Sequence, residues 1–453
     1  MSATATAIRS VQAYIDHVNP QWVRLLNLIQ MQTAYGECSG AELHKAAGDV
    51  ILDFLSGYCV HNAGHNHPAI IEALHGELDR LGPVMLQSHV PDLAGDLAGR
   101  LCELAGGGLE KVFFASSGSE GVEAAIKFSR ATTGREGLLY CDGAFHGLTC
   151  GALSLMSDGF WRGRFGPMLA NTTSAPFGEI AALHEALKSR TYAAFIVEPV
   201  QSEAGIVVPP PAYLREAKEL CARYGTLLVL DEVQTGMFRT GPFLAAHHFD
   251  VEPDMAILAK ALSGGMVPVS AVLMTDKVYR SVYDSLKRSI IHTSTFSENA
   301  LSMRAGLATL DVLTKEGLGP RAMALGDELR NRLRQELSGY EMVAEVRGLG
   351  MLSGIVFRAP KSLRLRLSFE SFRRVHPAMF GQVIVMRMFR DQRVLTQMCG
   401  NNFMVLKVAP PLVIGSDLME RFVGGIREVV RQAHHSTEFW AEALGLARRA
   451  VNV

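Results

Sequence analysis

Leu227-Leu228-Val229-Leu230-Asp231-Glu232 and, further on, Met255-Ala256-Ile257-Leu258-Ala259-Lys260 are short apolar runs that each deliver charge at the carboxyl end. Apolar runs without alternation read as strands buried on both faces, the habit of a parallel sheet. The form recurs at Lys111-Val112-Phe113-Phe114, Leu138-Leu139-Tyr140 and Ala194-Phe195-Ile196-Val197, with helical spacing between, as at Val122, Ala125, Ile126 and Ser129. Strand, turn and helix in repetition predict an α/β fold with a mostly parallel central sheet covered by helices. Ligands of such sheets sit beyond the carboxyl ends of the strands. Those ends offer Ser117-Gly118-Ser119, Asp142 with Phe145-His146, Glu198, Asp231 and Lys260, so one shared pocket is expected.

Outward from this core, residues 9–31 have the spacing of one amphipathic helix, 49–54 reads as a strand, and a helix begins near 69. After about residue 325 the alternation weakens; a helix over 324–337 and strands at 343–346 and 351–357 predict a smaller α+β lobe. The expected division is an amino-terminal segment with part of the small domain (1–80), a large domain (81–325) and a carboxyl-terminal small domain (326–453). The stretch 360–374 sets Lys361, Arg364, Arg366, Arg373 and Arg374 among Leu and Phe. A solvated helix or an insertion in the carboxyl-terminal lobe is the favoured reading, with a membrane- or carrier-docking surface as the alternative.

The 453 residues are 48% hydrophobic, enough for a substantial core, and 44 Lys+Arg against 45 Asp+Glu give a net charge of -1. That balance carries no footprint for nucleic acid or a membrane surface. The seven cysteines are scattered and never form Cys-x-x-Cys, which argues against a disulfide framework or zinc site and fits a reducing cytoplasm. Met1-Ser2-Ala3-Thr4-Ala5-Thr6-Ala7-Ile8 lacks the basic flank and apolar core of a signal.

A lysine ending a buried strand is costly unless its charge is neutralised or used, and a carbonyl cofactor does both by forming a Schiff base. Asp231 likewise needs a cationic partner. A magnesium-binding ATPase strand would require a Gly-x-x-x-x-Gly-Lys-Ser/Thr loop, which the chain lacks; the other option is the protonated nitrogen of a pyridine cofactor. Ser117-Gly118-Ser119 at a helix start suits a phosphate, although an ordinary serine cap has the same signature. Phe145 offers a plane to stack on a ring. Gly348-Leu349-Gly350 imitates a dinucleotide fingerprint but leads into a strand, and His61, His65 and His67 lie in a Gly/Asn/Pro turn; no metal site is expected.

In this order, Asp53-Phe54-Leu55-Ser56-Gly57-Tyr58 with Gly64-His65-Asn66-His67-Pro68, Ser117-Gly118-Ser119-Glu120, Phe145-His146-Gly147, Glu198-Pro199-Val200-Gln201-Ser202-Glu203-Ala204-Gly205, Asp231-Glu232-Val233-Gln234-Thr235-Gly236, Lys260, His292-Thr293-Ser294-Thr295-Phe296 and Ala409-Pro410-Pro411-Leu412 resemble the class III aminotransferases. These are pyridoxal 5'-phosphate enzymes of fold type I, and the resemblance is nearest to the ornithine aminotransferase branch. It implies that Lys260 forms the Schiff base and moves the proton, and that Asp231 holds the pyridinium proton. Phe145 and Val233 would cover the ring faces, Gln234 would reach the ring hydroxyl, and Ser117, Gly118 and Ser119 would bind the phosphate. His146 and Glu198 would complete the cofactor set. Thr295 would join the phosphate site of a neighbouring subunit in a homodimer.

The implied reaction passes an amino group, expected to be a terminal one, from a donor to a keto acid or aldehyde in two half-reactions. Aminomutases and racemases share these motifs, and a non-catalytic pyridoxal-phosphate-binding regulator is the alternative from another class. Tyr58, Leu148, Glu203 and Lys407 fall at substrate-facing positions. The ornithine branch has arginine where this chain has Leu148 and Lys407. Arginine holds a carboxylate bidentately, lysine offers a point charge and leucine neither, so ornithine itself is in doubt. Lys407 is expected either to pair with Glu203 or to release it and bind an acidic acceptor.

Overall fold

The computed structural model describes residues 11–451 except Gln87 and 376–378; the amino-terminal stretch weighed above for a signal lies outside them. The strands, in chain order, are β1 (Tyr35–Ser39), β2 (Glu42–Lys45), β3 (Val50–Asp53), β4 (Lys111–Ala115), β5 (Gly137–Cys141), β6 (Thr172–Ala175), β7 (Tyr192–Val197), β8 (Leu227–Asp231), β9 (Met255–Leu258), β10 (Ser270–Met274), β11 (Val343–Leu349), β12 (Leu352–Phe357), β13 (Val394–Leu395), β14 (Gln397–Cys399) and β15 (Asn402–Val408). A seven-stranded sheet has the order β4-β10-β9-β8-β7-β5-β6. Its strands pair in parallel from β6 through β9, whereas β10 is antiparallel to both β9 and β4. Two reversals restore direction, so the carboxyl ends of β4, β5, β7, β8 and β9 share one edge.

Burial explains why these strands read as unbroken apolar runs. Every residue of β5, β8, β9 and β10 is buried, and the helix Gly118–Thr133 lays Val122, Ala125 and Ile126 on the sheet. Each Val, Leu, Ile or Met side chain among them stabilises the fold by roughly 1.5–3 kcal/mol on leaving water. Two four-stranded sheets flank this core. One, β1-β2-β3-β13, pairs β3 in parallel with β13, so segments from both ends of the chain share it; the other is β11-β12-β15-β14.

The single helix expected over 9–31 is two pieces. One spans 11–17; Asn19 then caps a new helix, Pro20–Leu28, its Oδ1 accepting the Trp22 N–H at 3.1 Å. Proline lacks the N–H that a continuous helix needs and is at home in a first turn. The basic stretch is the helix Leu363–Val375, with Phe369 and Phe372 buried against Trp440 while Arg364, Arg366 and Arg374 are exposed. Leu365, Phe369 and Phe372 pack inward while Leu363 and Leu367 stay exposed among the arginines; the Arg373 side chain lies outside the described residues.

One buried cation ties distant stretches of the chain together. The Arg239 guanidinium is fully buried and donates to Asn62 Oδ1, Ser56 Oγ and the carbonyls of Met351 (3.1 Å) and Pro410 (2.5 Å). These hydrogen bonds replace the water lost on burial.

Candidate active site

A cavity of about 520 Å³ opens at the shared edge of the large sheet, lined among others by Ser117, Gly118, Ser119, Asp231 and Lys260. At one end, Ser117 is the N-cap of the 16-residue helix Gly118–Thr133; its Oγ accepts the Glu120 N–H, and the Glu120 carboxylate accepts the Ser116 N–H. This reciprocal cap leaves neighbouring first-turn N–H groups and the positive helix end for an anion. Two glycines allow the close approach. A Cβ on Gly118 would come within 3.1 Å of Val233, and Gly147 has φ +122° with a would-be Cβ only 2.2 Å from Ser119 Oγ.

At the other end, Asp231 is buried at the tip of β8. Its Oδ2 lies 2.7 Å from His146 Nδ1 and its Oδ1 accepts the Val233 N–H at 3.1 Å. Burial disfavours the His146 imidazolium, but the hydrogen bond and charge of Asp231, with the charge of Glu198, outweigh it and raise the ring above its ordinary value. His146 Nε2 is buried without a partner among the described residues. Glu198, just past β7, accepts the N–H groups of Phe145 (3.0 Å) and Ser202 (3.1 Å), and burial pushes its carboxyl up to about 7.

Lys260 follows β9 in a left-handed conformation (φ +46°) that a non-glycine residue adopts only when its surroundings impose it. No carboxylate forms an ion pair with it among the described residues, and burial lowers its ammonium below the usual lysine range. A lysine so placed is readily neutral, the form that acts as nucleophile and base. Phe145, Val233 and Gln234 line the same cavity.

The expected substrate residues sit beyond this wall. Lys407 is completely buried and forms an ion pair with Glu203 Oε1; Gln234 bridges them, donating to Glu203 at 3.1 Å and accepting from Lys407 at 3.3 Å. Gly400 donates to the other Glu203 oxygen at 2.7 Å. Burial alone would raise Glu203, but the Lys407 charge and these hydrogen bonds hold it below the usual carboxylate value. Tyr58 lies with its ring 5.2 Å from Lys407 Nζ. Of the two expectations for Lys407, the structure holds the pairing with Glu203.

Leu148 and Thr295 do not line the cavity in this chain; both are exposed. The histidines of the amino-terminal turn are engaged otherwise: His65 pairs with Asp53 at 2.7 Å, His67 meets Glu316 at 3.0 Å, and His61 stacks on His65. Sequence reasoning missed the link from His146 to Asp231 and missed Trp161, whose ring edge meets Phe145 at 5.4 Å while its Nε1 donates to Asn401. An aromatic residue in the short capped turn Gly159–Arg162 was the available signal.

The residues fit pyridoxal phosphate: a helix start freed for a phosphate, a buried carboxylate oriented by His146 and Val233, and an unpaired lysine meet in one cavity. A family model described as "Aminotransferase class-III" matches residues 27–430. Aminotransferase PigE of Serratia sp. (strain ATCC 39006) is 34% identical over 451 residues, 93% of this chain and 53% of that protein, so the chain spans about half the length of this curated relative. Among solved structures, the ornithine aminotransferase of Toxoplasma gondii is 29% identical with a TM-score of 0.81, covering 94% of this chain and 99% of that one. A PLP-bound amine transaminase from an uncultivated Pseudomonas species is 27% identical with a TM-score of 0.79, covering 89% and 95%. With the family match running over most of its length, the chain belongs to the class III aminotransferase family, pyridoxal-phosphate enzymes of fold type I.

Proposed function

We propose that this chain transfers an amino group from a terminal amine to a keto acid or aldehyde, and that Lys260 is its catalytic base. The observation that carries the reading is the meeting of an unpaired lysine, an oriented Asp231 and a helix-start anion site in one cavity. Bound pyridoxal phosphate supplies an aldehyde that receives the amine and a protonated ring that accepts electrons from the amine carbon. Asp231, held by His146, keeps the proton on the ring nitrogen; Ser117, Gly118 and Ser119 hold the phosphate; Gln234 meets the ring hydroxyl; Phe145 and Val233 enclose the ring. Lys260, neutral once released, takes and returns the proton at the amine carbon.

Glu203, tied to Lys407, closes the far end of the site to a second carboxylate until the pair separates. With Leu148 directly after the Phe145-His146-Gly147 turn in place of an arginine, a donor uncharged at that end is favoured over ornithine. The active unit in this reading is a homodimer. Leu81, Val90, Leu286, Ile290 and Phe296 are exposed, and their segments border one depression near Thr295. An apolar band of this kind is what a second copy covers, and it would carry Thr295 to the neighbouring phosphate site.

The test is a panel of amine donors offered to the cofactor-loaded enzyme without acceptor, read as loss of the cofactor's absorbance. A transferase converts with donor alone and regains the spectrum when a keto acid or aldehyde is added. An aminomutase or racemase turns over without that stoichiometric change, and a regulator does neither.

A further inference from the structure

A groove of about 1000 Å³ lies on the substrate side, and its walls are mostly apolar. One wall is the helix Pro20–Leu28, which buries only Val23 and leaves Trp22 47% and Leu25 41% exposed. The other carries Phe160, Phe403 and Tyr58. The volume is that of a ligand site, and an open apolar surface this large on a folded chain calls for an occupant.

The groove abuts the catalytic cavity by independent routes. Tyr58 forms its wall and covers Lys407, which holds Glu203 and Gln234, and Gln234 lines the cofactor cavity. Phe160 also forms the wall and meets Trp161 edge-on at 5.1 Å; Trp161 meets Phe145 of the cofactor cavity at 5.4 Å. Thr396 and Gln397, likewise in the wall, flank Lys407 directly: Thr396 Oγ1 donates to its carbonyl and Gln397 is its strand partner. The groove is therefore one side chain away from the site. The exposed apolar residues assigned to the second copy, at 81–90 and 286–296, contribute nothing to its described lining.

We infer that the groove holds the hydrocarbon part of the substrate, so that the amine is carried on an alkyl chain of several methylenes rather than on a short carboxylate-bearing chain. The inference rests on the transamination reading above. Over the half-reaction the amine R-CH2-NH2 would become R-CHO: its carbon gives up a proton, two electrons and its nitrogen to the carbonyl carbon of the bound cofactor, whose oxygen leaves as water, and one water is consumed to supply the oxygen of the released aldehyde. The Tyr58 ring, which lines the groove, suits such a substrate because it offers an aromatic surface to the alkyl chain.

The experiment uses the cofactor-loaded enzyme with straight-chain primary amines from butylamine to octylamine. Ornithine, 4-aminobutyrate and alanine are run beside them, and the loss of cofactor absorbance is followed. Burying a methylene is worth about 0.8 kcal/mol, so the second-order rate constant is expected to rise about threefold to fourfold per added carbon. In W22S and F403S, placed on opposite walls and tested separately, the slope is expected to fall below about twofold. Reaction with the carboxylate-bearing donors but no slope with alkylamines overturns this inference and leaves transamination standing. A slope that persists in both variants, or a change of both variants from dimer to monomer, overturns it too, because the groove would then be idle or a subunit contact. If no amine at all alters the spectrum, the transamination reading falls and this inference with it.

Discussion

Replacing Lys407 by methionine removes the cation from a pair in which Lys407 is fully buried and Glu203 nearly so. Breaking a buried pair by deleting one partner costs about 3–5 kcal/mol. Glu203 keeps the N–H groups of Gly400 and Gln234 at 2.7 and 3.1 Å, which places the cost near the lower end, about 3 kcal/mol. With an unfolding entropy of about 2.1 cal/mol/K per residue, a chain this long should melt roughly 3 °C lower near neutral pH. The sign of the pH dependence follows from Glu203. In the parent its folded pKa is lowered, so its contribution is present above the ordinary carboxylate value and is lost only as pH falls through the lower folded value. In K407M burial acts without the ammonium and the folded pKa rises, so the variant loses stability as pH climbs through that raised value. Lys407 itself titrates above its ordinary value, outside this window. The deficit of K407M should therefore widen between about pH 5 and pH 8, in calorimetry at fixed protein and cofactor concentration. A deficit below about 1 °C, or one independent of pH, would refute the argument that the pair is ionised and held against burial.

Leu148→Arg should raise kcat/KM for ornithine about tenfold by supplying a charge-assisted fork for its carboxylate; an unchanged value removes Leu148 from the substrate path. Leu286→Asp combined with Ile290→Asp should shift the protein toward monomer in light scattering and weaken cofactor retention, and an unaltered dimer would place the subunit contact elsewhere. Glu198→Gln removes a carboxyl raised from 4.5 to about 7 by burial. A raised carboxyl contributes stability at low pH that is lost as pH rises through about 7, so the melting temperature of the variant should gain on the parent by up to about 3 °C between pH 5 and pH 8.

What could be read from the chain divides along physical lines. Strands β5, β7, β8 and β9 announce themselves because both faces are buried and leave no polar alternation. Strand β6, Thr172–Ala175, pairs only with β5 at the sheet edge and carries polar residues, so no apolar run marks it. The reversal of β10 was equally silent, since an antiparallel strand buried on both faces has the same composition as a parallel one. In the site, residues tied to strand ends were found, whereas the bond from His146 to Asp231 joins positions far apart in sequence and leaves no local trace. Thr295 and Leu148 came from motif likeness alone, and in a single chain neither reaches the cavity.

The buried Arg239 also bears on how rigidly the surroundings of Tyr58 and Lys407 are held. It binds Ser56 and Asn62 on either side of Tyr58, and the carbonyl of Pro410 close after Lys407, from a position just beyond Gln234. The turn that carries Tyr58, the Met351 turn and the Pro410 turn are thus braced from a single point. With all five of its N–H donors spent on three separate stretches of chain, Arg239 leaves these turns little freedom to shift past one another, so the Tyr58 segment and the strand end after Lys407 keep one fixed relation.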